Sequence, residues 1–224
     1  MSSKVKWRGE PLPRGRHKLP AATVRDSQRA RIVRAMLECV GRDGYEATTV
    51  PQVVATARVS RNAFYELFAD KADCFIAVCD QTGEEMLAEL LELAAEPDWV
   101  RAVQEGMRRY LRWWQDRPTI SSAYLLYLPT VGERALRQRE RQYAAFRAMF
   151  ADLARRARVE QPELGPLSEL APRVLVLAIT ELVAEEVRAG RTARLTELTD
   201  QLAFLAIKLL ADEQTAARAQ GQAA

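Results

Sequence analysis

The sequence predicts an all-α protein, with three short N-terminal helices forming a head on a larger helical body. Three observations carry this. Residue choice leans to Ala, Leu, Arg and Glu, with only ten Gly in 224 residues. Apolar residues recur at spacings of three and four rather than two. Three N-cap signals, at Thr49, Ser60 and Asp70, fall within one short stretch.

Composition narrows the classes further. A hydrophobic share of 48% with 28% charged residues belongs to a folded globular chain. No segment approaches the roughly 20 apolar residues that span a bilayer, and Lys4, Lys6 and Arg8 have no apolar stretch behind them. No membrane partner and a cytoplasmic location are expected. Cys39, Cys74 and Cys79 lack C-x-x-C spacing, which fits buried thiols better than a redox sensor. A single histidine, His17, lies in a Pro- and Gly-rich leader, so catalytic triads, metal sites and cofactors are not expected. Charge is uneven. Residues 1–71 hold fourteen Lys and Arg against seven Asp and Glu, although the whole chain is only +3. A basic head on a mildly acidic body suits a polyanionic partner at one end.

Along the chain, residues 1–24 read as a flexible basic arm, residues 25–75 as the head, residues 76–215 as the body and residues 216–224 as a frayed tail. Whether the arm has a function is open. A first helix starts near Asp26, carries Ile32, Val33, Met36, Leu37 and Val40, and stops at Gly41–Gly44. Thr49 with Gln52 forms a capping box for a second helix, with Pro51 in its first turn. After Arg58-Val59, Ser60 caps a third helix in which Phe64 and Phe68 point to the core. Asp70 caps a fourth from Lys71.

In the body, Pro97-Asp98 opens a helix with Val100, Val103, Met107, Tyr110, Leu111 and Trp114 on one side. A short helix is expected around Ser121–Leu128 and a long one from about Gly132 to Arg158. Residues 174–187 are apolar nearly all round at first, so that helix should be covered on both sides. Leu195, Leu198, Leu202, Leu205 and Leu209 step 3-4-3-4, like a coiled-coil seam. With Val174, Leu177 and Leu182 they form the expected homodimer interface, against the alternative of packing within one chain. Large side chains gather mid-chain. Met107, Tyr110, Trp114, Tyr124, Tyr127, Phe146 and Phe150 are the expected lining of an effector pocket, or else plain core. Trp113 falls off its helix stripe and reads as exposed, or as a pocket or interface residue.

Two short helices joined by a tight turn, the second capped and polar at its start, form a helix-turn-helix, whose second helix enters the DNA major groove. Arg61 can pair with guanine or hold a phosphate, and Asn62 can read adenine. Thr49, Ser60 and Tyr65 can donate to phosphates.

The run GYEATTVPQVVATARVSRNAFYELFADKADCF closely resembles the TetR-family signature. Its parts are a glycine-aromatic pair, a threonine cap, a valine-serine turn exit, an aromatic-Tyr-x-x-Phe helix and a lysine after the next cap. The resemblance covers roughly residues 26–80, about a quarter of the chain. It implies a DNA-binding regulator of nine or ten helices that dimerises through its last two helices and holds a small-molecule pocket in its body. It implies DNA contacts at Thr49, Ser60, Arg61, Asn62, Tyr65 and Lys71; Arg58 in the turn and Ala63 at the exposed helix start are expected to join them. Four positions depart from the pattern. Arg58 and Asn62 stand where Gly is frequent, Val54 replaces a common Ala, and Leu67 replaces a His or Tyr. A left-handed Arg58 would cost on the order of 1 kcal/mol. The expected function is a repressor of double-stranded DNA at a pseudo-palindromic operator, relieved by a largely apolar effector. A helical enzyme and an adaptor that has lost DNA binding are the alternatives; no catalytic residue is assigned.

Overall fold

The structure, a computed structural model, describes residues 21–94 and 96–211; the arm through residue 20 and the tail at 216–224 lie outside them. Among the described residues every regular element is helical, and they divide into two compact units between Cys79 and Asp80.

In the first unit, α1 spans Ala21–Asp43, starting five residues before the expected Asp26. It buries Ile32, Val33, Met36, Leu37 and Val40, the stripe expected from spacing. It stops where Gly44, at φ 81°, returns its N–H to the Val40 carbonyl at 2.9 Å. Helix α2 covers Val50–Ala57 and α3 only Arg61–Tyr65. Both pack on α1, burying Val53, Ala57, Ala63 and Phe64. Helix α4, Lys71–Ala94, begins in this unit and ends in the second.

The second unit continues with α5, Trp99–Gln115, capped by Asp98, whose carboxylate accepts from Val100 N and Arg101 N. Next come α6, Pro118–Ser121, a π-helical stretch Ser122–Tyr127 and a 3₁₀ turn Leu128–Thr130. The expected helix at Ser121–Leu128 is therefore longer and irregular, entered through Pro118 in its first turn. Helix α7 runs Glu133–Glu160 and α8 Ala171–Arg188. A 3₁₀ segment, Thr192–Leu198, leads into α9, Thr199–Leu210. Helix α5 packs on α9 and on the 3₁₀ segment, and α8 packs on α7, α9 and the π-helix.

The leucine seam does not keep one face. Leu195 and Leu202 are buried inside the subunit, Leu198 is half-buried, and Leu205 and Leu209 point to solvent. The 3₁₀ geometry of residues 192–198 takes Leu195 and Leu198 out of register with α9, and within α9 the leucines straddle the edge of the buried face, Leu202 inside and Leu205 and Leu209 outside. On α8, Leu175, Val176, Ile179 and Val183 are covered, whereas Val174, Leu177 and Leu182 are exposed. One side of α8 is thus closed within the chain and the other is open.

Candidate nucleic-acid interface and body cavity

The head presents its polar residues through local hydrogen bonds. Thr49 has the extended backbone of an N-cap, and its N–H donates to Gln52 Oε1 at 2.7 Å, while Gln52 N donates to Thr49 Oγ1 at 3.4 Å. That reciprocal pair is a closed capping box. Ser60 Oγ accepts from Ala63 N at 3.0 Å and fixes the start of α3. Between the two helices Arg58 is left-handed, at φ 53° and ψ 48°, the only non-glycine residue with positive φ among those described. The conformation that usually takes Gly is held by an arginine, and Arg31 supports it from α1. Its Nη1 donates to the Ala57 and Arg58 carbonyls at 3.4 and 3.2 Å, satisfying groups that the end of α2 leaves free.

Beyond this turn, Ser60, Arg61, Asn62 and Tyr65 are exposed together on one side of α3, Tyr65 at 46%. The Arg61 guanidinium lies 5.6 Å over the Tyr65 ring, whose other contact is the edge of Phe64. Thr49 and Arg58 are also exposed. Two of the expected contacts differ. Ala63 is only 6% exposed, because the third residue of this short helix faces α1 beside Phe64. Lys71 spends its ammonium inside the unit, donating to the Tyr45 carbonyl at 2.9 Å and lying 4.1 Å over the Tyr45 ring. It anchors the α1–α2 turn to the start of α4. Asp70 and Asp73 cap that start by accepting from Asp73 N and Ala69 N respectively. Arg31 and Lys71 act at sequence separations of about 26, which no local pattern reveals.

The body contains a cavity with about 720 Å³ of atom-free space, including the part open to solvent. Met107, Tyr110, Trp114, Tyr124, Phe146 and Phe150 come together in its lining, joined by Met86 and Leu90 of α4, Tyr143 of α7 and Thr180 of α8. Tyr127 is not in the lining, and its carbonyl accepts instead from Thr130 Oγ1. The π-helix carries an extra residue per turn, so Tyr124 faces inward while Tyr127 is rotated off the stripe. Trp113 is neither exposed nor in the lining. It is buried with Arg117 stacked at 4.4 Å and its ring edge-on to Trp114 at 5.0 Å.

The polar groups of the wall are few. Tyr110 is half-buried, and desolvation pushes its pKa up to about 12, the neighbouring Trp114 and Thr180 opposing the shift. Burial also raises the pKa of Tyr143, with Arg139 and Thr180 acting against it. Both phenols therefore stay neutral donors far above pH 7. Tyr124 OH donates to Gln142 Oε1, and Gln142 Nε2 donates to the Asp80 carbonyl of α4 at 3.2 Å. The space for that amide comes from Gly83, where an added Cβ would collide with it. Cys39, Cys74 and Cys79 are all buried thiols, and burial with nearby Asp73 pushes Cys74 well above the ordinary thiol range. Among the described residues no cluster of His, Cys, Asp and Glu could hold a metal ion, and no helix is long and apolar enough to cross a membrane.

A helix-turn-helix with a polar recognition face and an all-helical body with an apolar cavity define the class of the chain. Residues 32–78 match the family model of the bacterial regulatory proteins, tetR family. Solved structures share the fold across most of the chain. The fatty acid degradation regulator FadR from Bacillus halodurans is 15% identical, with a TM-score of 0.72 over 80% of this chain and 94% of that one. The transcriptional regulator FadR from Bacillus subtilis, solved in complex with stearoyl-CoA, is 12% identical, with a TM-score of 0.70 over 80% and 97%. SmeT, the repressor of the Stenotrophomonas maltophilia multidrug efflux pump SmeDEF, is 16% identical, with a TM-score of 0.66 over 80% and 88%. No curated protein matches the chain in sequence. The head is a tetR-family helix-turn-helix domain, and the chain has the tetR-family transcriptional regulator fold.

Proposed function

We propose that the protein is a homodimeric, cytoplasmic repressor that reads a pseudo-palindromic operator and is released from it by a small, largely apolar effector bound in the body cavity. The observation that carries this is the exposed, capped start of α3, where Ser60, Arg61, Asn62 and Tyr65 share one side. Arg61 is assigned to base reading and Asn62 to adenine, with Thr49, Arg58, Ser60 and Tyr65 on phosphates. Lys71 and Arg31 are positioning residues that hold the helix pair.

Dimerisation is supported by the apolar residues left open on α8 and α9: Val174, Leu177, Leu182, Leu205 and Leu209, each more than two-fifths exposed. A two-fold dimer would set the heads on half-sites about 34–36 Å apart or somewhat more. The relation to SmeT, a repressor, supports the sign of regulation, and the stearoyl-CoA complex of the Bacillus subtilis neighbour supports an effector in the body.

The test is to select DNA fragments with the full chain and measure binding by fluorescence anisotropy. Arg61→Ala should reduce discrimination between the selected site and its scrambled version by about 1–3 kcal/mol. Unchanged discrimination would remove Arg61 from base reading. Retention of a monomer mass by Leu177→Arg, with a dimer for the parent chain, would support the α8–α9 interface; a monomeric parent would refute it.

A further inference from the structure

The cavity wall has an unusual balance of polar groups. Every charged side chain is excluded from the lining. The charges that bear on Tyr143 are Arg139, stacked on its ring at 4.8 Å, and Glu181, which have opposite signs; only Arg139 bears on Tyr110. Neither Arg139 nor Glu181 belongs to the lining. An ion entering this space would leave its hydration behind and meet no counter-charge in the wall.

Hydrogen-bond donors, by contrast, are present and unsatisfied. Trp114 Nε1 and the Tyr143 hydroxyl are buried, belong to lining residues and complete no hydrogen bond of ordinary geometry within the protein. The Tyr110 hydroxyl feels Trp114 and Thr180, and the Tyr143 hydroxyl feels Thr180 and Arg139, so the four lining groups are neighbours whose mutual contacts are weak. An indole N–H can only donate, so nothing on Trp114 itself can offer an acceptor. Leaving buried donors unpaired is unfavourable, and native proteins rarely do so without a reason. The rest of the wall is aromatic and methionine-rich, with Met86, Met107 and Met149 able to adapt to an irregular shape.

We infer that the cavity takes an uncharged, apolar molecule bearing a hydrogen-bond acceptor, such as a carbonyl or ether oxygen, and that Tyr143 and Trp114 donate to it. This rests on the reading of the cavity as the effector site. Tyr143 and Trp114 then discriminate a neutral oxygen-bearing ligand both from ions and from bare hydrocarbons of the same shape.

Calorimetric titration of the full chain with four naphthalene probes tests this: methyl 2-naphthoate, 2-naphthoate, 2-naphthylmethylammonium and 2-vinylnaphthalene. The ester should bind at least roughly tenfold tighter than either ion, since neither finds a counter-charge. Tyr143→Phe should weaken the ester by about 2–10-fold, the worth of one neutral hydrogen bond, and leave the hydrocarbon within about twofold. The same variant should melt close to the parent, because the hydroxyl it removes completes no hydrogen bond of ordinary geometry in the free protein. An ion that binds as tightly as the ester would overturn the inference while leaving the cavity as the effector site. Equal losses for ester and hydrocarbon on Tyr143→Phe would remove Tyr143 as the donor. Failure of all four probes to bind would overturn both the inference and the effector reading, and would leave DNA recognition by the head untouched.

Discussion

The head and the body of this chain are specified by different physics. In the head, backbone donors at helix starts are met by side chains three residues away: Thr49 with Gln52, Ser60 with Ala63, Asp70 with Asp73. Its core is closed, with Phe64, Phe75 and Ile32 fully buried, and its polar side chains are left outward on α3. In the body the large side chains surround a space instead of filling it. The difference teaches where each part tolerates change. The head should be intolerant of both core and cap changes, and the body tolerant at the cavity wall.

The largest expected effect breaks the comparison directly. Phe64→Ala should cost about 3–5 kcal/mol in denaturant unfolding, because it empties a closed core. Phe150→Ala at the cavity wall should cost clearly less, roughly 1–2 kcal/mol, since that ring already lacks partners on one side. Equal costs would mean that the cavity is no softer than the head. Next comes alkaline pH. The folded-state pKa of Tyr110, about 12, lies above its ordinary value of 10. The native state therefore holds the proton longer, and stability present below pH 10 is lost as pH rises through about 12. The loss should reach up to roughly 2 kcal/mol and be absent in Tyr110→Phe.

Smaller effects sharpen the account. Ser60→Ala should cost about 1 kcal/mol in thermal or denaturant unfolding by leaving the Ala63 N–H uncapped. Arg58→Gly should move stability the other way by about 1 kcal/mol, by relieving the left-handed backbone. The same change should weaken DNA binding through the lost charge, so stability and affinity would part company. Smallest is Gly106→Ala in α5, where an added Cβ meets nothing within 4 Å. It should stabilise by about 0.5–1 kcal/mol from helix propensity alone.

What was legible in the sequence follows the same division. Caps act over three residues, so Thr49, Ser60 and Asp70 announce themselves, and the α1 stripe from Ile32 to Val40 needs only its spacing. The left-handed turn at Arg58 is legible because an arginine stands where the resembling sequences favour Gly. Arg31 and Lys71 were not, because their acceptors lie on other elements about 26 residues away. In the body, Met107, Tyr110 and Trp114 share a regular α-helical stripe, and the structure brings them together in the cavity lining. Tyr127 and the first two seam leucines, Leu195 and Leu198, fall outside such a stripe for one reason. Spacing arguments assume 3.6 or 3.5 residues per turn, and the chain is π-helical at Ser122–Tyr127 and 3₁₀ at Thr192–Leu198. Tyr143 and Thr180 were missed because their relation to Trp114 is made only when α5, α7 and α8 come together.

The central claim is that the exposed start of α3 reads DNA sequence. Its most direct test is the affinity of the full chain for a selected pseudo-palindromic fragment against a scrambled fragment of equal length, at one fixed salt concentration. The account predicts a preference of at least about 1,000-fold, the ordinary span between specific and non-specific binding. Equal affinity for the two fragments would contradict it.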